Sequence, residues 1–440
     1  MSDSQLFPLH TLTYCINYIS GGVSIMNKIK IIACTTLLCM GMAVSNVAFG
    51  AESSEMNSTS AFTLEDVQKL VVHNNPNLKK LQISLDNLDL SKNLINDQKS
   101  DLNSANYSRE YILNKIASLE EAINAGDADA KAMYEALSNQ LASMPSTDTV
   151  STQKDSLNDS LTDVVNNAED LAYQQKVLKP DLEMTASSLY TKILETENTI
   201  ELLEKNLELA IKSREITQIQ IENGLATEHD YLNANITVTQ LSNQLTQAKT
   251  GLTTLKRTLN DLMGRDMNAP LKLAEFTVDQ TIYTSPLVNA SVVEDTTNQS
   301  YTLYQLEREL KELKQDRKDA DTASERREIT NKIELKQLEI DSAKVSVDKT
   351  LKAKADNIST TANTLRAAQN SYSKATQDLE YAKLKYDLGM VSQIEYLQQE
   401  AATLESKNTL TSAEYAYYYA RLEFDYYKNG IPLDNYSSIS

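Results

Sequence analysis

Ile221-Glu222-Asn223-Gly224-Leu225-Ala226-Thr227-Glu228-His229-Asp230-Tyr231-Leu232 is answered further along the chain by Tyr386-Asp387-Leu388-Gly389-Met390-Val391-Ser392-Gln393-Ile394-Glu395-Tyr396-Leu397. Each stretch lies between two long segments of helical character, and each puts a glycine where a helix has to stop. Gly224 and Gly389 suit the position just past a helix end, where a left-handed backbone is needed and a residue without a Cβ adopts it cheaply. Thr227 and Ser392 suit the N-cap of the next helix, and Asp230 and Glu395, three residues on, complete a capping box. Only Leu225-Ala226 and Met390-Val391 separate stop from start. Both stretches read as tight tips of helical hairpins, each with an apolar pair that either staples the two helices or touches a partner.

The helix leaving the first tip carries the clearest periodic signal in the chain. Tyr231, Ala234, Val238, Leu241, Leu245, Ala248, Leu252, Leu255, Leu259 and Leu262 alternate spacings of three and four, a heptad seam that Gly264 ends. After the second tip Tyr396, Thr403, Leu410, Ala413, Tyr417, Ala420, Phe424 and Tyr427 each follow a seam position by the interval that separates Gly389 from Gly224, with Gln399 and Ser406 in the two remaining slots. Asn429-Gly430-Ile431-Pro432 stops this helix where Gly264 stops the other. Shared register makes the chain an internal duplication.

Composition agrees with long helices and few turns: 440 residues hold ten Gly, seven Pro, five Phe and no Trp, and 23% are charged. A net charge of −19 disfavours nucleic acid or an anionic membrane surface as partner. Cys15, Cys34 and Cys39 are followed by no other cysteine, so the rest of the chain has no disulfide frame, thiol nucleophile or thiolate metal site. His10, His73 and His229 are too few and too scattered for a histidine metal site. No nucleophile, base and orienter cluster together, so neither an enzyme nor a cofactor is expected.

Met26 begins an export signal: Asn27-Lys28-Ile29-Lys30 is a basic n-region, Ile31 to Val44 an apolar core, and Ala48-Phe49-Gly50 a small-residue cleavage site before Ala51. Residues 1–50 are thus read as upstream residues plus a signal peptide whose true start is Met26, and 51–61 as a spacer. Thr63-Leu64-Glu65-Asp66 opens a helix, which Asn74-Asn75-Pro76 interrupts, and Leu78, Leu81, Leu85 and Leu88 line a second. From Ser100 to Pro180 the text is polar and helix-prone, with turns at Ala125-Gly126-Asp127 and Met144-Pro145-Ser146 flanking a hairpin of short helices over 111–123 and 130–141. Gly126-Asp127-Ala128-Asp129 lacks the remaining ligand positions of a calcium loop and reads as a solvated turn.

A long helix is expected from Leu182 to Glu222. Residues 265–300, with Pro270, Pro286 and β-branched clusters, read as a linker able to pack a short strand or two against the helices. Charge-rich helices resume over 304–318 and 324–347, joined by a turn near Asp319 to Thr322. The domain scheme is therefore a first repeat over 62–264, the linker over 265–300, a second repeat over 301–432 and a tail over 433–440. The fold class is mainly all-α, as long antiparallel coiled-coil hairpins in two tandem repeats.

Two repeats, each with a Gly-Leu or Gly-Met tip followed by a Ser or Thr cap, an acid and a Leu, resemble the TolC family of outer-membrane efflux channels. Phe62-Thr63-Leu64-Glu65-Asp66 to Asn75-Pro76-Asn77-Leu78 is similar to that family's first-helix signature, and Leu259 to Gly264 to its repeat ending. The resemblance implies a homotrimer whose six hairpins close into a helical tube, an outer-membrane location, and efflux or secretion across the cell envelope. It also implies tips that dock on a periplasmic adaptor protein served by an inner-membrane pump. Carried over, Gly224, Leu225, Ala226 and Thr227 with Gly389, Met390, Val391 and Ser392 are the docking tips. Glu222 and Asp387, each two residues before a tip glycine, are candidate pore acids if they face inward, and solvated surface residues if they do not.

Where that family carries barrel strands, roughly 96–180 and 305–360, this chain reads as polar helix without Trp or Phe. Helical hairpins are expected there instead, at an end that does not insert in a membrane. The competing reading is a secreted coiled-coil scaffold of the envelope, which has no need of two apolar tips in one register.

Overall fold

The computed structural model describes residues 61–279 and 287–433. The expected signal peptide, residues 51–60 of the spacer and residues 434–440 of the tail lie outside the described residues. Among these, the chain forms α1 (Leu64–Asn74), α2 (Pro76–Asn124), α3 (Ala128–Ser143), α4 (Thr147–Glu222), α5 (Glu228–Leu262), α6 (Ala290–Gln299), α7 (Tyr301–Asp319), α8 (Ala323–Asp387) and α9 (Gln393–Lys428).

Local chemistry sets most boundaries. Thr63 and Asp66 close a capping box at the start of α1, and Asn75 accepts from the backbone N–H groups of Asn77 and Leu78 to start α2 beside Pro76. The turns around Gly126 and Pro145 separate α2, α3 and α4, and Thr322 with Glu325 caps α8. The helix expected from Leu182 instead starts at Thr147 and runs 76 residues through Pro180. Proline removes one backbone donor and crowds the preceding turn, a cost of about 3 kcal/mol in a helix interior. Packing on both sides holds the helix through it: Val177 and Leu178 before Pro180, and Leu182, Met184 and Ala186 after it, all join hydrophobic clusters. Likewise α2 continues through the residues expected to begin a separate helix at Tyr111.

The expected linker departs from the reading in a second way. Its strand content among the described residues is a single parallel bridge between Phe62 and Leu273, and its last part is a helix, α6, capped by Asn289. The bridge is held from beneath. Tyr190, fully buried, points its hydroxyl at the carbonyls of Phe62 (2.9 Å) and Ala274 (2.6 Å). Burial pushes this phenol up to about 12. Around it Leu64, Val67, Val71, Leu189, Ile193 and Leu259 make the largest cluster, which joins α1 to the α4–α5 hairpin.

The duplication is visible in burial. Leu182 and Val347, Ala186 and Leu351, Ile193 and Ile358, and Ile200 and Leu365 are pairs at the interval between the two tip glycines, and all eight are buried. Thus α4 and α5 correspond to α8 and α9. Further out, Leu78, Leu81, Leu85 and Leu88 of α2 align with Leu303, Leu306, Leu310 and Leu313 of α7, both helices starting just after a capping residue, Asn75 and Ser300.

The two hairpins lie side by side because α9 packs on α4. Lys205 pairs with Glu400 at 3.0 Å, Asn408 donates to the backbone carbonyl of Asn198, Ser412 bonds Glu195, and the hydroxyls of Thr191 and Tyr419 meet at 2.8 Å. The shaft is therefore a row of four helices in the order α8, α9, α4, α5. At the end away from the tips the row changes to α2, α4, α7, α8, with α7 held between α8 and α4.

Candidate partner-docking tips

Both tips end their first helix with the same pair of backbone bonds. Gly224 donates to the carbonyl of Ile221 at 2.9 Å and Leu225 to that of Gln220 at 2.7 Å; Gly389 donates to Tyr386 at 2.9 Å and Met390 to Lys385 at 2.8 Å. This is the Schellman geometry, which needs positive φ at its glycine, and Gly224 and Gly389 have φ of 70° and 71°. Such motifs usually pack the residue after the glycine against an apolar residue in the last helical turn. Here the nearer of the two usual positions holds Gln220 in one tip and Lys385 in the other, and the apolar residues one place further back, Ile219 and Leu384, are themselves 57% exposed. Leu225 and Met390 stay 79% and 69% exposed, while Ala226 and Val391 are half-buried. Within each apolar pair, then, the first residue faces solvent and the second tucks in.

The outgoing helices start on closed capping boxes. Thr227 donates its N–H to Asp230 at 2.8 Å and accepts from the Asp230 N–H at 3.3 Å; Ser392 and Glu395 do the same at 2.7 and 3.2 Å. The Thr227 hydroxyl and N–H hold the Asp230 carboxyl below its ordinary range, and the Ser392 N–H and hydroxyl act likewise on Glu395. Glu222 and Asp387 are the last helical residues before the tips, both exposed. Gln218 reaches Glu222 at 3.5 Å.

Sequence reasoning followed the outgoing helices and missed the incoming ones. Ile216 and Ile219 on α4, and Tyr381 and Leu384 on α8, are exposed large apolar residues within two turns of their tips. They too pair across the two repeats in the register of Gly224 and Gly389, so the pattern that revealed the tips held this signal as well. The hairpins close behind the tips through Tyr386 stacked on Tyr396 (5.2 Å between ring centroids) and Arg214 bonded to Asn235. Among the described residues no group of three His, Cys, Asp or Glu side chains is placed to hold a metal, and no helix is long and apolar enough to cross a membrane.

No protein-family model and no curated protein matches the sequence. Solved structures do align with it. The chain is similar to outer-membrane channels. The CmeC outer membrane channel of Campylobacter jejuni aligns at 13% identity over 90% of this chain and 95% of its own, with a TM-score of 0.48. The outer membrane protein VceC of Vibrio cholerae aligns at 12% over 63% and 76%, with a TM-score of 0.45. The MtrE outer membrane channel of Neisseria gonorrhoeae aligns at 12% over 85% and 91%, with a TM-score of 0.40. At such identities and scores the likeness carries no functional argument; the tips and the faces of the helices carry it.

Proposed function

We propose that the chain is one subunit of a TolC-like conduit for efflux or secretion across the cell envelope. It acts as a passive path, without catalytic residues or cofactor. Three copies close side by side, and the six tips dock on an adaptor protein that links the conduit to an inner-membrane pump.

One observation carries this reading: the four-helix shaft row has two unlike free edges that fit the joint already made inside the chain. Where α9 buries Leu397 and Ala401, α5 leaves their counterparts Leu232 and Ile236 exposed. Because α9 rests on α4, the equivalent seat for α5 is the α8 of another copy. The same joint repeated head to tail makes a row that closes on itself rather than a dimer. In such a ring Leu225 and Met390 would alternate at one rim, and Glu222 and Asp387 would supply six carboxylates just behind it.

The test is the mass of the purified chain by light scattering, in mild detergent and in plain buffer. A trimer in both supports a helical conduit that ends without a barrel. A monomer in both rules the conduit out and leaves the envelope scaffold.

A further inference from the structure

Asparagine followed by glycine is a chemically weak pair, because a glycine nitrogen with no Cβ beside it can reach the asparagine Cγ and displace the amide. The chain has two such pairs, Asn223-Gly224 and Asn429-Gly430, and both close a helix with the same turn. Each asparagine donates from Nδ2 to a carbonyl of its own helix, Ile219 and Asp425, both at 2.7 Å. Each glycine has positive φ, 70° and 71°. Gly224 and Leu225 donate to Ile221 and Gln220 at 2.9 and 2.7 Å, and Gly430 and Ile431 donate to Tyr427 and Tyr426, both at 3.0 Å.

Neither pair can react while its turn is closed. With ψ of 4° at Asn223 and 18° at Asn429, the glycine nitrogen nearly eclipses the asparagine's own nitrogen and is turned away from its side chain. Reaction therefore follows local opening, whose free energy depends on what holds each turn. Here the two pairs part. Ile431 is 8% exposed and shares an apolar cluster with Tyr426, Met184 and Leu433. Gly430 is buried, lies against Gln299, and its carbonyl accepts from the Tyr173 hydroxyl at 3.3 Å. Leu225 has no such clasp and is 79% exposed, and the space around Gly224 is open. Exposed tips of this kind are where a chain opens first.

We propose that Asn223 is a site of spontaneous conversion from amide to acid, selected over Asn429 by its unclasped turn. When the turn opens, the Gly224 nitrogen gives its proton to a solvent base and attacks Asn223 Cγ. The new N–Cγ bond forms as the Cγ–Nδ2 bond breaks, and Nδ2 takes up a proton and leaves as ammonia. Water then adds to either carbonyl of the resulting cyclic imide and breaks that carbonyl's bond to nitrogen. The product is aspartate, or isoaspartate with the main chain running through the side chain. Both put a second carboxylate beside Glu222, and isoaspartate also lengthens the backbone inside a turn that depends on its register. The second tip, Leu388-Gly389, has no amide to lose. The inference does not rest on the conduit; in the conduit, the change would fall on the first-repeat tips alone.

The test follows the full chain in mildly alkaline buffer by peptide mapping and mass spectrometry, with isoaspartate read by enzymatic methyl labelling. Acid at position 223 is expected to accumulate at least tenfold faster than at 429, with isoaspartate in excess over aspartate. Equal rates, faster loss at 429, no loss at 223, or aspartate without isoaspartate each overturn the proposal. In urea the two pairs should convert within about twofold of each other, and a contrast that persists there overturns it too. Gln220→Leu leaves the reacting pair intact and gives Leu225 an apolar partner where Ile431 has Tyr426. It is expected to slow conversion at 223 at least threefold; an unchanged rate overturns the selection by the missing clasp.

Discussion

Asn408 donates from Nδ2 to the backbone carbonyl of Asn198 at 3.2 Å, and the counterparts of both residues in the opposite repeat, Asn243 and Asn363, are also asparagines, each exposed. One pair joins two hairpins within the chain; the other waits on opposite edges of the row. A single neutral hydrogen bond contributes about 1 kcal/mol. Asn408→Ala is expected to lower the stability of the chain by about that amount in urea unfolding. Asn243→Ala should leave the isolated chain unchanged and raise the dissociation constant of its assembly about fivefold in sedimentation. Equal effects of both variants on the isolated chain would contradict the inter-copy role.

Gly224 and Gly430 share a φ near 70° but differ in surroundings. A Cβ at Gly224 meets nothing within 4 Å, whereas at Gly430 it lies 2.1 Å from the Gln299 carbonyl oxygen. Gly224→Ala therefore bears only the left-handed backbone cost, about 1 kcal/mol. Gly430→Ala must also push α6 away from the end of α9. Its loss in chemical denaturation should exceed that of Gly224→Ala by about 1–2 kcal/mol or more, the scale of an overpacked contact. Similar losses would show that α6 yields freely.

Leu225→Ser with Met390→Ser removes the exposed apolar residue of both tips and no internal packing. Helicity and unfolding midpoint should hold within about 0.5 kcal/mol, as for surface changes elsewhere, while export in the native host falls by tenfold or more. Full export with these variants would show that docking does not use the tips. Glu222→Gln with Asp387→Gln is the companion: cation preference in a reconstituted channel should drop if these acids face the lumen, and an unchanged preference places them outside it.

Asp181 has a buried Oδ1 without a hydrogen-bond partner, and burial holds its carboxyl above the ordinary range. A raised folded-state value means the native chain holds a proton that the unfolded chain has released, so stability falls as pH rises through that window. Above it the full penalty remains. Asp181→Asn is expected to raise the thermal midpoint at pH 7.5, with the gain vanishing below the usual carboxylate range near pH 3. An equal gain at both pH values would mean that the charge is not the cause.

Asp230 and Glu395 titrate with the opposite sign. Their lowered values mean that the capping boxes stabilise the tips above the ordinary carboxylate range and weaken as pH falls through the folded-state values. Amide exchange in the first turns of α5 and α9, corrected for intrinsic rates, should quicken at low pH before exchange in α4 near Tyr190 does. Simultaneous loss would tie the boxes to global unfolding.

The hairpins, their tips and the seam were readable because each rests on local chemistry: a glycine, a cap and its acid, and a spacing of three and four. The observed half-burial of Tyr231, Val238, Leu241 and Leu245 falls on the seam as spaced. What the residues alone did not yield was set by tertiary contact. Pro180 reads as a helix stop, and only packing by α1, α2 and α9 carries α4 through it. Residues 290–299 read as linker because the ten-residue α6 is too short to show a period, and it is held by α8 and α9.

The two long helices also differ in a way that bears on force. Helix α8 runs 65 residues from Ala323 to Asp387 with neither Gly nor Pro, whereas α4 carries Pro180 part-way along. Proline is where a long helix bends. A pull on Gly389 is therefore carried to the far end of α8 by an uninterrupted backbone ladder, whereas the ladder behind Gly224 lacks one rung at Pro180, where the clusters on either side hold α4 straight through.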